Sequence, residues 1–274
     1  MSVFELSTPE GPSRPLLVEV PHAGLELPDE LRGEIVASAE AIRRDADIYV
    51  DRLYARSPEL GATLLVARMS RYVVDLNRAQ NDVDAATVTD HPMPGTLQPR
   101  GVVWRSTTDG QPILRGPLTY ARLMARLNTY YTPYHSSLEQ TLSAMQAKHG
   151  YAILLAAHSM PSSGRALHKD RGARRADVVP GTRGRTSANS RVIDLVDAHF
   201  RDAGLSVRHD DPYQGGHTTT HYGRPREGRH AIQIELNRAL YVDEATCAPK
   251  PAGMQQLSAL LDALVLKLAA LDPR

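Results

Sequence analysis

The chain reads as an α/β protein with a three-layer α/β/α build. Its central sheet is mixed but mostly parallel, with helices on both faces. Three observations predict this. Residues 152–157 form an unbroken apolar run, the mark of a strand covered on both sides. Residues 16–20 and 230–235 form two more short, largely apolar runs bounded by turn residues. Longer stretches with helical spacing of apolar residues separate the three, as βα alternation requires.

In order, residues 15–20 are the first buried strand, closed by Pro21-His22-Ala23-Gly24. Pro28 and Asp29 open a helix expected to run to about Ala41, with Leu31, Ile35 and Val36 on one face. A charged turn, Arg43 to Asp47, leads to a second helix from Ile48 to about Arg56, and Gly61 ends it. Residues 63–67 are a strand, and residues 72–74 a short one running into Asp75-Leu76-Asn77-Arg78. Residues 80–116 carry repeated Pro and Gly with little periodicity, as active-site loops do. A long helical region follows, from Leu118 to about Lys148, interrupted at Pro133. After the central strand comes a second irregular stretch, residues 162–185, then a helix over 187–203 and a strand over 206–208. A loop over 211–216 leads to His217 and His221; the strand ending at Glu235 and a C-terminal helix over about 253–271 complete the chain.

Composition removes several function classes. The 274 residues are 42% hydrophobic with no linker-like break, so one domain over 1–274 is expected. A formal net charge of +1 gives no field favouring nucleic acid or an anionic membrane. The basic run from Arg165 to Arg185 has no interleaved aromatics, so it reads as a solvated loop. The single cysteine, Cys247, excludes a disulfide framework and a cysteine-rich zinc site. With no signal-peptide pattern in the first fifteen residues and no membrane-length apolar run, a soluble cytoplasmic protein is expected.

Ligands of open α/β sheets gather beyond the carboxyl ends of the strands. His22, His158 and Glu235 all lie at predicted strand ends. Two imidazoles plus a carboxylate make a catalytic zinc site with one position left for water, and a further carboxylate then moves protons. Asp47 is the preferred oxygen ligand, with Asp45 as the alternative ligand or as a residue capping and orienting the next helix; Glu26 ranks lower. Glu235 suits the proton shuttle, and Zn2+ or another divalent ion is the expected cofactor. Arg71, Asn77 and Arg78 point to a small carboxylate-bearing substrate, since a guanidinium fork grips carboxylates at two points, and one Arg can polarise a scissile carbonyl. His221 and His217 are candidates to line the pocket, whereas His135 reads as a residue that packs or that supports a site residue from behind.

The stretches VPHAG, RRDADIYVDRLY, RYVVDLNR, AHSM, DPYQGGHTTTHYGRP and AIQIELNRALY, taken together and in this order, resemble the N-formylglutamate amidohydrolase family from about residue 15 to about 245. The resemblance implies a phosphorylase/hydrolase-like fold related to zinc carboxypeptidases. It also implies hydrolysis of N-formyl-L-glutamate, or a close relative, to formate and the amino acid, in histidine breakdown. By the same likeness His22 and His158 are ligands, Arg71 polarises the carbonyl, Asn77 and Arg78 clamp a carboxylate, and Glu235 is the general base. Many family members carry Arg before the histidine of HYG; this chain has Thr220 there, and His217 after the paired glycines. The alternatives are a carboxypeptidase- or aminoacylase-like hydrolase on another amide, and a binding protein for an amino-acid derivative.

Overall fold

The structure, a computed structural model, describes residues 2–93, 95 and 100–274. Six strands form one mixed sheet: β1 (Phe4–Ser7), β2 (Leu16–Val20), β3 (Thr63–Ala67), β4 (Ala152–Met160), β5 (Val178–Gly181) and β6 (Arg229–Asn237), in the order β1-β3-β2-β4-β6-β5. The four inner strands are parallel, and β1 and β5 pair antiparallel at the two edges. A separate two-stranded ribbon joins β7 (Val242–Asp243) to β8 (Ala248–Pro249).

The helices are α1 (Ala39–Asp45), α2 (Val50–Leu53), α3 (Tyr120–Arg126), α4 (Thr132–His149), α5 (Ser190–Asp202), α6 (His217–Tyr222) and α7 (Pro251–Ala270). Alternation along the inner strands feeds two cores. Leu16, Val18, Ile153 and Ile232 face α2, α5 and α7, while Leu17, Leu154 and Ala231 face α3 and α4. Glu19, His158, Gln233 and Glu235 share the parity of the second set, on strands whose every residue is buried. A polar column therefore stands among the apolar residues on the α4 side. Among the described residues no helix is long and apolar enough to cross a membrane.

Several expected elements differ. The helix expected from Pro28 to Ala41 is a single 3-10 turn, Asp29–Leu31, and then α1, because Ser38 caps a new start by accepting from the Ala41 amide at 3.1 Å. The second helix is only α2, whose N-cap Tyr49 takes a left-handed φ of 66°. Residues 71–73 form a turn, and Val74 pairs with no strand. Ser70 Oγ accepts from Tyr72 N at 3.2 Å and Asp75 Oδ1 from Asn77 N at 2.9 Å, local bonds that replace strand pairing. The long helical region is not broken at Pro133. A π-helical stretch, Leu127–Tyr131, lies just before it and absorbs the missing donor and the bulk of the ring.

β1 and α6 were not foreseen, and the irregular stretch over 162–185 contains β5. Residues 206–208 make only a bridge, Val207 to Val178, and no strand. The expected loop over 80–116 lies partly outside the described residues, at 94 and 96–99.

Candidate metal centre

His22 follows β2, and its backbone carbonyl accepts from the Asp47 amide at 2.9 Å, so the turn after α1 is pinned against this strand end. In β4, His158 pairs in register with Glu235 of β6. A ring nitrogen from each of His22 and His158 and a carboxylate oxygen of Asp47 lie within 4.8 Å of one another, and all three residues are buried. The Asp47 Oδ2 atom is 3.0 Å from His158 Nδ1 and 3.5 Å from His22 Nδ1. Asp47 Oδ1 accepts from Arg238 Nη2 at 3.3 Å, and Arg238 also donates to Ser159 Oγ at 3.1 Å and to the Arg44 carbonyl at 2.7 Å.

Each histidine is backed on its other side. His22 Nε2 meets Asp75 Oδ1 at 2.9 Å, and Asp75 Oδ2 accepts from Arg71 Nη2 at 2.7 Å. That contact assigns a proton to His22 Nε2 and, in the neutral ring, leaves Nδ1 as a lone pair, buried and without a hydrogen-bond partner among the described residues. The Asn77 amide nitrogen donates to His158 Nε2 at 3.2 Å. Asn77 also donates to Gln233 Oε1 at 3.0 Å, and its own Oδ1 accepts from the amide and hydroxyl of Thr218 in α6 at 3.0 and 3.1 Å. The amide of Asn77 packs on Gly216, where a Cβ would lie 2.3 Å from Nδ2; the close approach explains the second glycine of DPYQGG. Gln233 Nε2 then donates to Glu235 Oε1 at 2.9 Å.

The electrostatics divide the carboxylates. Burial pushes Asp47 and Asp75 upward, but it is outweighed: His158 and His22 hold Asp47 well below the usual carboxylate range, and Arg71 and His22 do the same for Asp75. Burial and Arg71 oppose charge on His22, yet Asp75 and Asp47 prevail and raise it. Glu235 moves the other way, raised mainly by burial against the pull of His158.

The structure brings together His22, Asp47, His158 and Glu235, with Arg71 one carboxylate away and Asn77 wedged behind His158. Asp45 does not join them. It accepts from Tyr72 Oη at 2.7 Å, Thr108 N at 3.0 Å and Arg165 Nη1 at 2.7 Å, and from the Thr108 hydroxyl. Its role is to tie α1 to the two long loops, so the alternative of Asp45 as ligand is corrected to a tether. Arg165 is likewise no solvated loop residue, since its side chain is only 15% exposed. Arg78 is half-buried, with Asp82 3.9 Å away. His217 stacks with His221 at a centroid distance of 5.0 Å, and its backbone amide donates to the Asn77 carbonyl at 3.2 Å. His135 is held by Tyr222 Oη at 2.9 Å and the Leu76 carbonyl at 3.0 Å.

Asp75, Arg238, Gln233 and Glu19 went unassigned in the sequence. Gln233 and Glu19 carried a readable signal: each is a polar residue at an inward position of an apolar strand, which is costly unless bonded. Asp75 and Arg238 carried none, because their partners lie 53 and 191 residues away.

Comparison with known proteins identifies the family. The profile of the family described as N-formylglutamate amidohydrolase matches residues 14–242. The chain is 36% identical to the N-formylglutamate deformylase of Pseudomonas aeruginosa over 84% of its own length and 83% of the relative's. It is 32% identical to that of Pseudomonas putida over 84% and 82%. The crystal structure of N-formylglutamate amidohydrolase from Ralstonia eutropha superposes with a TM-score of 0.89 at 35% identity, covering 98% of this chain and 97% of that one. An Agrobacterium tumefaciens gene product shares the fold at a TM-score of 0.69 and 20% identity, over 97% and 94%. The chain belongs to the N-formylglutamate amidohydrolase family.

Proposed function

We propose that the chain is a metal-dependent hydrolase that cleaves the amide of N-formyl-L-glutamate, or of a close N-acyl relative, releasing formate and the amino acid. The observation that carries this reading is the convergence of His22, Asp47 and His158 with Glu235 registered against His158, in a member of this family. The unpartnered lone pair of His22 Nδ1, aimed at a carboxylate oxygen and a second imidazole, fits a divalent cation. Zinc is the preferred ion, and such an ion would supply Lewis acidity toward water and the scissile carbonyl.

The chain's own groups would do the rest. Glu235 accepts the proton of the attacking water at its carboxylate and returns it to the departing amide nitrogen. Its raised affinity for protons suits both transfers, and Gln233 keeps the carboxylate aimed. Arg71 stabilises charge developing on the carbonyl oxygen, positioned by Asp75. Arg78 takes the substrate's carboxylate, while Asn77 acts through His158 and Gln233, since its amide is fully engaged by protein partners. His217 and His221 line the approach. We read the set on the plan of zinc carboxypeptidases, in a single domain over 1–274, with the 162–185 loop and the described part of the 80–116 loop at its mouth.

The test measures formate released from N-formyl-L-glutamate beside N-acetyl and peptide substrates, before and after chelation. Formate release that needs the metal is expected. Glu235→Gln should retain the metal and lose about 10²-fold or more in turnover. Equal activity in His22→Ala and the parent would end the reading.

A further inference from the structure

Trp104, the only tryptophan, is 4% exposed, and two guanidiniums lie against its indole. Arg71 Cζ is 4.3 Å and Arg100 Cζ 5.8 Å from the ring centroid. Three N–H donors of this trio, Trp104 Nε1, Arg71 Nε and Arg100 Nη1, are buried with no acceptor among the described residues. Native structures rarely leave one such donor without cause, and three around one ring mark a place where an acceptor belongs.

The charge around them agrees. Arg71 already holds Asp75, but Arg100 has no carboxylate partner among the described residues; its Nη2 donates only to the Leu167 carbonyl at 3.1 Å. Burial lowers the proton affinity of Arg100, and Arg78 and Arg71 add to this as like-charge neighbours, against the pull of Asp45. A positive cluster short of an anion therefore lies one residue beyond the chain of contacts from His22 through Asp75 to Arg71. Both walls come from the long loops, Arg100 and Trp104 from one and Leu167 from the other.

We infer that Arg100 and Trp104, with Arg71 beside them, form a second anion subsite that receives the side-chain carboxylate of the substrate, separate from the carboxylate held by Arg78. This rests on the hydrolase reading above and deepens it. A substrate with a carboxylate next to the amide nitrogen and another at the end of its side chain fills both subsites, and a monocarboxylic N-formyl amino acid leaves the donors of the second unmet. The subsite selects acidic amino acids.

Because Trp104 is the only indole, its emission reports on the subsite without turnover. Titration with glutarate should change that emission saturably, and Arg100→Ala should need about 10- to 100-fold more, the worth of hydrogen bonds to a charged group. The ratio of kcat/KM for N-formyl-L-glutamate to that for N-formyl-L-norvaline should fall by the same factor, with Arg100→Lys recovering part of it. Should Arg100→Ala not fold, Arg100→Gln carries the same expectation. Unchanged emission at saturating glutarate, or an undiminished ratio in the Arg100 variants, overturns the inference. An emission response without formate release from any N-formyl amino acid overturns the hydrolase reading and leaves the subsite standing.

Discussion

Asp45 and Asp47 are two residues apart, both buried, and face opposite tasks. Asp47 turns toward His22 and His158 and is steadied by Arg238. Asp45, the last residue of α1, turns toward Tyr72, Thr108 and Arg165. Both are held as anions, one by imidazoles and the other by hydroxyl, amide and guanidinium donors. The turn between them decides the difference. Ala46 leaves the helical region with ψ 156°, which swings the next side chain to the other side, and the bond from Asp47 N to the His22 carbonyl fixes it there. Two nearby carboxylates of the same chemistry thus divide into one that joins the histidine cluster and one that ties α1 to Thr108 and Arg165.

That contrast is open to direct attack. The largest effect is expected from Asp47→Ala, which should lower metal affinity by more than the ~10–100-fold typical of an outer partner and take turnover with it; metal analysis after dialysis checks this. Asp45→Ala should leave the metal in place and cost about 3–5 kcal/mol of stability, because Arg165, only 15% exposed, loses its 2.7 Å carboxylate partner and, among the described residues, keeps only Asp109 at 4.0 Å as a counter-charge. Urea denaturation measures that loss, and retained metal separates the two aspartates.

A third carboxylate sharpens the comparison. Glu19 is fully buried with Tyr134 Oη at 3.1 Å and, among the described residues, no cation bonded to it, and burial raises it from 4.5 to about 7. The folded chain therefore keeps a proton that the unfolded chain releases. Stability present below the lower value falls as pH rises through about 7, by about 3 kcal/mol. In chelator-treated protein, Glu19→Gln should remove that decline; a profile as steep as the parent's would show Glu19 ionised at no cost. The smallest effect is expected from Asp75→Asn, which leaves the three converging atoms in place and weakens metal affinity by about 10–100-fold, read by competition with a chelating dye.

Much of this was open to reading from the residues. His22, His158 and Glu235 were visible because apolar runs bury both faces of a strand and make a polar residue near its carboxyl end conspicuous, although β4 and β6 continue two residues further, to Met160 and Asn237. β3 was expected at 63–67 and found there, since five successive apolar-leaning residues after Gly61 leave little choice. The short strand at 72–74 was not found. Val73 and Val74 favour extension, but Ser70 and Asp75 bond the local backbone and the turn prevails. Thr218, Asn77 and Gln233 could not be joined on paper, because a hydrogen-bond partner 141 or 156 residues away leaves no periodic trace.

By itself the sequence determined the layer order, the parallel core and the identity of the chemical groups, because hydrophobic periodicity and residue type are local properties. Tertiary structure alone decided which of Asp45 and Asp47 meets the histidines, that Asp75 and Arg238 hold the ends of the cluster, and that Arg71 and Arg100 share one indole. Those outcomes depend on the direction of single side chains after a turn and on contacts between distant segments, and only the packed sheet and its loops specify them.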